Sequence, residues 1–229
     1  MNDVDKKIGR RSQAHQRYKN REGKIVPGVT TVLGIINKPA LVAWANGMGL
    51  QGIDTRTYVD QMASIGTLAH EMVQEDLGGP EWDRDFYSPE QVDLAENAFL
   101  KYLEWKRVNE YDLETMLIEE QMVSEEYQYG GTVDWYGVIN GKYVLMDIKT
   151  SKALYPEHTF QVAAYSLLLQ ENGYPLDETM ILRIGRDETE GFEVQKIDPL
   201  VLQEARSVYL NARSLYQVIK DFERRCKGN

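Results

Sequence analysis

Asp134, Asp147 and Lys149 stand in the stretch GTVDWYGVINGKYVLMDIKTSK, which begins at Gly131 and is otherwise mostly β-branched, aromatic or aliphatic. Asn140-Gly141 between two alternating apolar runs is a strong signal for a two-residue hairpin turn. With those two residues in the turn, Ile139 meets Lys142 and Asp134 falls opposite Asp147. Opposed side chains in an antiparallel ladder are about 5 Å apart, so two carboxylates placed there repel unless a cation lies between or beyond them. Lys149, two residues beyond Asp147, projects from the same face, while Val133, Trp135, Val144, Met146 and Ile148 are expected on the other. Such a face suits a hard divalent cation, Mg²⁺ or Mn²⁺, that bridges phosphate oxygens and acidifies a water. Lys149 would then orient or deprotonate that water, or neutralise charge on a pentacovalent phosphate. A solvated edge hairpin carrying an Asp–Lys pair accounts for the spacing alone almost as well.

Other polar residues have readings of both kinds. Gln161 and Tyr165 are four apart in a helical stretch and meet on one side. They could hold a phosphate or a base, or be a surface glutamine beside a half-buried tyrosine. His70, in GTLAH, is either a partly buried helix histidine or an imidazole ligand that would tolerate Mn²⁺. Glu120 either approaches the site or faces water.

The elements that must position these groups follow from hydrophobic period. Short helices are expected after Pro27, capped by Thr30 or Thr31, and from Pro39, then longer ones over about 55–76 and 89–109. Gly66 lies inside the third of these and calls for either an interruption or a close approach to its backbone. The period shortens at LETMLIEEQMVSEE, the first of three consecutive strands. A helix over 157–171, strands at TMILRIGR and GFEVQKI, and a helix over about 199–225 complete an α/β layer arrangement with an antiparallel portion.

The 229 residues, 42% apolar, suffice for one sizeable core. We expect a flexible basic arm over 1–24 and a single domain over 25–229, divided into a mainly helical part (25–112), a sheet and site core (113–198) and a C-terminal helix (199–229). The lone Cys226 excludes an internal disulfide framework and a cysteine-rich metal site. No charge-free stretch of 18 apolar residues occurs, and a soluble, cytoplasmic protein without membrane contact is expected. The net charge of −10 argues against nonspecific polyanion binding, but the charge is uneven. Residues 1–24 hold eight Lys/Arg against three acids, and 71–126 hold seventeen acids against four Lys/Arg, so a polyanion site could exist locally.

GTLAH at 66–70, GTVD at 131–134, DIK at 147–149 and QVAAY at 161–165 resemble, in order, the motifs of the PD-(D/E)XK nuclease superfamily, in its RecB-like exonuclease branch. VPGVTTVLGIINKPALVAWA is similar to the N-terminal segment of its phage and mitochondrial genome-maintenance members. The resemblance implies a restriction-endonuclease-like α/β core, a central mixed sheet flanked by helices with an N-terminal helical extension. It also implies that His70, Asp134, Asp147 and the Ile148 carbonyl bind Mg²⁺ or Mn²⁺, that Lys149 is catalytic, and that Gln161 and Tyr165 support the site. Glu120 matches an acidic position ahead of the G-x-x-D element, in competition with Glu119. Gly66 and Gly131 would admit close backbone approach around substrate. The iron–sulfur cluster of some relatives cannot be built with one cysteine. The implied activity is exonucleolytic hydrolysis of DNA, at a single strand or processed end, leaving 5′-phosphates, in the cytoplasm of a host if the chain is phage-encoded. A structure-specific endonuclease and a noncatalytic DNA-binding or phage-assembly module are the alternatives, and the acidic 71–126 region could meet a basic protein partner.

Overall fold

The computed structural model describes residues 17–36, 38–109 and 112–228. A small ladder of β1 (Tyr18–Lys19) and β2 (Ile25–Val26) leads into three helices, α1 (Val29–Leu33), α2 (Pro39–Leu50) and α3 (Thr55–Asp76). After a 3₁₀ turn (Arg84–Phe86) comes α4 (Pro89–Asn109), followed by β3 (Leu113–Ser124), β4 (Tyr129–Ile139) and β5 (Lys142–Lys149). The chain ends with α5 (Pro156–Glu171), β6 (Glu178–Ile184), β7 (Phe192–Lys196) and α6 (Pro199–Cys226). Five strands form one sheet in the order β3-β4-β5-β6-β7, antiparallel except that β5 and β6 run parallel. That parallel pair needs a crossover, which α5 supplies.

Both sheet faces are covered, and the apolar residues divide accordingly. On one face Trp135, Val144, Met146 and Ile148 pack with Leu68 and Val73 of α3 and Tyr102 and Trp105 of α4. On the other, Tyr129, Val133, Tyr136 and Leu145 pack with Leu168 of α5 and Tyr209 of α6. The fold is therefore the expected mixed α/β arrangement, a restriction-endonuclease-like core with a central mixed sheet between helical layers.

Asn140 and Gly141 take φ of 50° and 79°, the left-handed values a primed hairpin turn requires, and Ile139 pairs with Lys142. The ladder then runs in the expected register to Trp135 and Met146. Val133 departs from expectation: it joins Tyr136 on the α5 face, opposite Trp135. The alternation is broken beside Glu119 of β3, which takes φ of 49°, where the β3–β4 ladder passes from Ile118–Trp135 to Glu120–Val133 over Glu119 and Asp134. A left-handed residue in a strand re-aims the side chains around it.

Two further differences concern the N-terminal part. The cap of α1 is Gly28, without a side-chain hydrogen bond, and Thr30 and Thr31 fall inside the helix. Of the expected arm, residues 1–16 lie outside the described residues, whereas Tyr18 is fixed in β1 and its hydroxyl lies 2.9 Å from Thr132 Oγ1. Among the described residues, no helix is long and apolar enough to cross a membrane.

Candidate metal and phosphodiester site

The site forms where β4 and β5 stop pairing. Beyond Trp135–Met146 the Ile148 N–H donates to Asp134 Oδ2 at 2.9 Å, so a side-chain carboxylate takes a main-chain donor at the end of the ladder. Asp134 is thereby held beside Asp147, whose side chain is wholly buried. Lys149 Nζ lies 2.5 Å from Asp147 Oδ2, and Oδ1 is buried with no hydrogen-bond partner. An unpartnered buried carboxylate oxygen is costly, and its position beside a second carboxylate marks a place for a cation.

Helix α3 brings His70 to the same point. Its Nδ1 lies 3.8 Å from Asp134 Oδ2, too long for a hydrogen bond. The third partner is Glu119 of β3, and ligand atoms of His70, Glu119 and Asp134 all lie within 4.8 Å of one another. Donors around one ion at about 2.1 Å are separated by about 3 to 4 Å, so this His/Glu/Asp set fits a divalent cation with little adjustment. Glu119 is anchored by Gln74, whose Nε2 donates to Oε1 at 2.7 Å.

The electrostatics have the same cause throughout, negative charge gathered in a poorly hydrated place. Burial pushes the Asp147 carboxyl up to about 6; Lys149 opposes that and the Asp134 charge adds to it. Burial also raises Asp134, against Lys149 and the Ile148 N–H. Glu119 is pushed up to about 7, first by desolvation and then by Asp134, Asp147 and Glu71. Its side chain is open to the cleft, and the like charges around it favour its protonated form. Burial lowers Lys149, but Asp147 and Asp134 outweigh it and its ammonium titrates above the usual range. His70 is brought down to about 4 by burial and by Lys149, so near neutral pH its imidazole is neutral and has a lone pair to give. The Ile148 main chain beside the ring opposes that shift.

Each residue singled out from sequence now has a position. Asp134, Asp147, Lys149, His70 and the Ile148 main chain converge. Gln161 Nε2 donates to the Tyr165 hydroxyl at 2.7 Å, and Tyr165 is buried close enough for Asp147 and Asp134 to raise its pKa. Glu120 does not join the cluster: it pairs with Val133 and is exposed, while Glu119 takes the acidic position. The two glycines have close neighbours within the protein, and Gly66 also lines the cleft over the site. A Cβ at Gly66 would stand 2.8 Å from Thr150 Oγ1, and one at Gly131 would stand 2.7 Å from Tyr165 Cε1.

Above these groups opens a cleft of about 750 Å³ between α3 and the chain following β5. His70, Glu119 and Lys149 line it, as do Arg186, one of the basic residues late in the sequence, and Lys152, which the sequence did not single out. Lys149 also lines a smaller pocket with Lys38, His158 and Gln161.

No family model and no curated protein matches this chain. Among solved structures, an alkaline exonuclease from Laribacter hongkongensis is similar over 71% of this chain and 84% of its own, at 13% identity and a TM-score of 0.37. A protein from Eubacterium rectale described as an exonuclease is similar over 83% of this chain and 72% of its own, at 14% identity and a TM-score of 0.43.

Proposed function

We propose that this chain is a divalent-metal-dependent deoxyribonuclease, with an exonuclease acting at DNA ends as the favoured form. The observation that carries the reading is the unpartnered Asp147 Oδ1, buried beside Lys149 and adjoining the His70/Glu119/Asp134 set at the floor of an open cleft. A fold gains no stability from that arrangement by itself; a cation and a phosphate complete it. Asp134, Asp147, His70 and the Ile148 carbonyl would hold Mg²⁺ or Mn²⁺, with Glu119 in the place expected of Glu120. When bound, the ion supplies Lewis-acid stabilisation of phosphate oxygens and acidifies a water.

The protein's own residues do the rest. The Ile148 N–H fixes Asp134 Oδ2 and with it the carboxylate beside His70. Lys149, held cationic by two carboxylates, donates to the phosphate and offsets charge that develops on it. Gln161 and Tyr165, bonded to each other, brace the far side of the site. In-line attack of water with departure of the 3′-oxygen leaves a 5′-phosphate. We read 25–229 as one nuclease domain. The acids of 71–126 not engaged inside, as Asp76 is by Tyr102 and Lys106, are offered to a basic protein partner.

A linear and a covalently closed circular DNA, each incubated with Mg²⁺ or Mn²⁺, test the exonuclease form. Degradation confined to the linear molecule is expected, and efficient cutting of the closed circle would make the enzyme an endonuclease. Lys149→Ala should lose about 10²- to 10⁴-fold in turnover with Mn²⁺ affinity changed only a few fold; turnover like the parent's removes the role assigned to Lys149.

A further inference from the structure

The cleft over the carboxylates has two kinds of wall. Toward the floor it presents His70, Glu119 and Lys149, the groups already described. Farther out it presents Tyr58, Val59 and Met62 from α3 and Tyr155 from the turn before α5, with Lys152 and Arg186 as the cations beside them. Aromatic rings with cationic neighbours at the mouth of an acidic site suit a ligand that is flat and apolar in one part and anionic in another.

Both rings line the cleft and lie against a second ring. Tyr155 is 47% exposed and stands 5.5 Å from the His158 ring at 76°, an edge-to-face contact that steadies it. Tyr58 is half-buried and lies 6.1 Å from Trp44 of α2, tilted at 54°. Neither ring belongs to the two core clusters. A volume of about 750 Å³ is of the size that encloses a small ligand, such as a few unpaired nucleotides, and cannot enclose a duplex.

We propose that Tyr58 and Tyr155 are stacking platforms for the unpaired bases of a single DNA strand, whose backbone Lys152 and Arg186 accompany toward Lys149. This rests on the nuclease reading for the identity of the strand and adds the groups that select it. Stacking accepts any base, because every base has a π-face, so the cleft would distinguish single strands from duplexes without distinguishing sequences.

Fluorescence anisotropy of the full chain with a labelled oligo-dT of about 12 nucleotides, in Ca²⁺, tests this against an abasic strand of the same length and charge. Oligo-dT should bind at least about 10-fold more tightly than the abasic strand and than a duplex of equal length. Tyr58→Ala and Tyr155→Ala should each weaken oligo-dT binding by about 5- to 150-fold, with little change for the abasic strand, and Tyr58→Phe and Tyr155→Phe should restore it. Equal affinity of the parent chain for oligo-dT and the abasic strand overturns the proposal, and so do Phe variants that bind as weakly as the Ala ones. Cleavage of the same oligo-dT in Mg²⁺ is scored separately. Base-dependent binding through both tyrosines without any cleavage sinks the nuclease reading and keeps the platforms. Cleavage without base dependence does the reverse.

Discussion

Replacing Asp147 with Asn should stabilise the metal-free protein while abolishing its activity. The carboxyl is raised from 3.8 to about 6. Each unit is worth about 1.4 kcal/mol, so holding it ionised in the folded state costs about 3 kcal/mol. The sign follows from the direction of the shift. A carboxyl raised in the folded state contributes stability that is present below its unfolded pKa and lost as pH rises through the folded one, here between about pH 4 and pH 6. Urea unfolding in EDTA at about pH 8 should therefore find Asp147→Asn more stable than the parent by up to about 3 kcal/mol, and at about pH 4 nearly equal to it. Lys149 keeps Asp134 as a charge partner in the variant. Comparing the two proteins cancels the titration of His158, which Asp147 does not influence; Glu119 and His70 feel the Asp147 charge, and losing it lowers both, so their titrations differ between the two proteins. Added Mn²⁺ should reverse the order, since an ion that binds only the folded parent stabilises it by mass action. If Asp147–Lys149 were a structural ion pair, removing one partner would destabilise the fold by about 3–5 kcal/mol at neutral pH. That result at about pH 8 in EDTA would refute the reasoning.

Three other expectations follow from the same geometry. Glu119→Gln should weaken Mn²⁺ binding at least about 10-fold by calorimetry, and Glu120→Gln should leave it within about 2-fold; the opposite order returns the acidic position to Glu120. Mn²⁺ affinity should tighten as pH rises from about 5.5 to 7.5 and then level off, with protons released on binding, because Glu119 and Asp147 must give theirs up near 7 and 6. A flat profile across that range contradicts the assignment of both ligands. Gly131→Ala should cost about 1–3 kcal/mol in urea unfolding, since its Cβ would stand 2.7 Å from Tyr165 and 3.1 Å from Leu168 with no free space to move into; an unchanged midpoint would contradict that packing.

Much of the site was legible because its elements announce themselves locally. Asn140-Gly141 fixes a register, and the register brings Asp134 and Asp147 together from residues far from the turn. Helical spacing likewise paired Gln161 with Tyr165. What could not be read was the left-handed Glu119, since nothing in EEQ shows which glutamate leaves strand geometry. At this point of the sheet Glu119, not Glu120, joins His70 and Asp134, and Val133 lies on the face opposite Trp135. The roles of Gly66 and Gly131 were hidden for a related reason: a glycine's requirement for space is visible, but the neighbour that fills it, Thr150 or Tyr165, comes from a distant part of the chain. Lys152 and Arg186 reach the cleft from segments that carry no motif, so only the assembled fold brings them there.

Hydrolysis of an end-labelled single-stranded oligonucleotide by the purified chain, in Mg²⁺, in Mn²⁺ and in EDTA, with Asp147→Asn alongside, tests the central claim most directly. The account predicts products ending in 5′-phosphates with either metal, and none in EDTA or with the variant. An intact oligonucleotide under every metal condition, or cleavage that persists in Asp147→Asn, would contradict it.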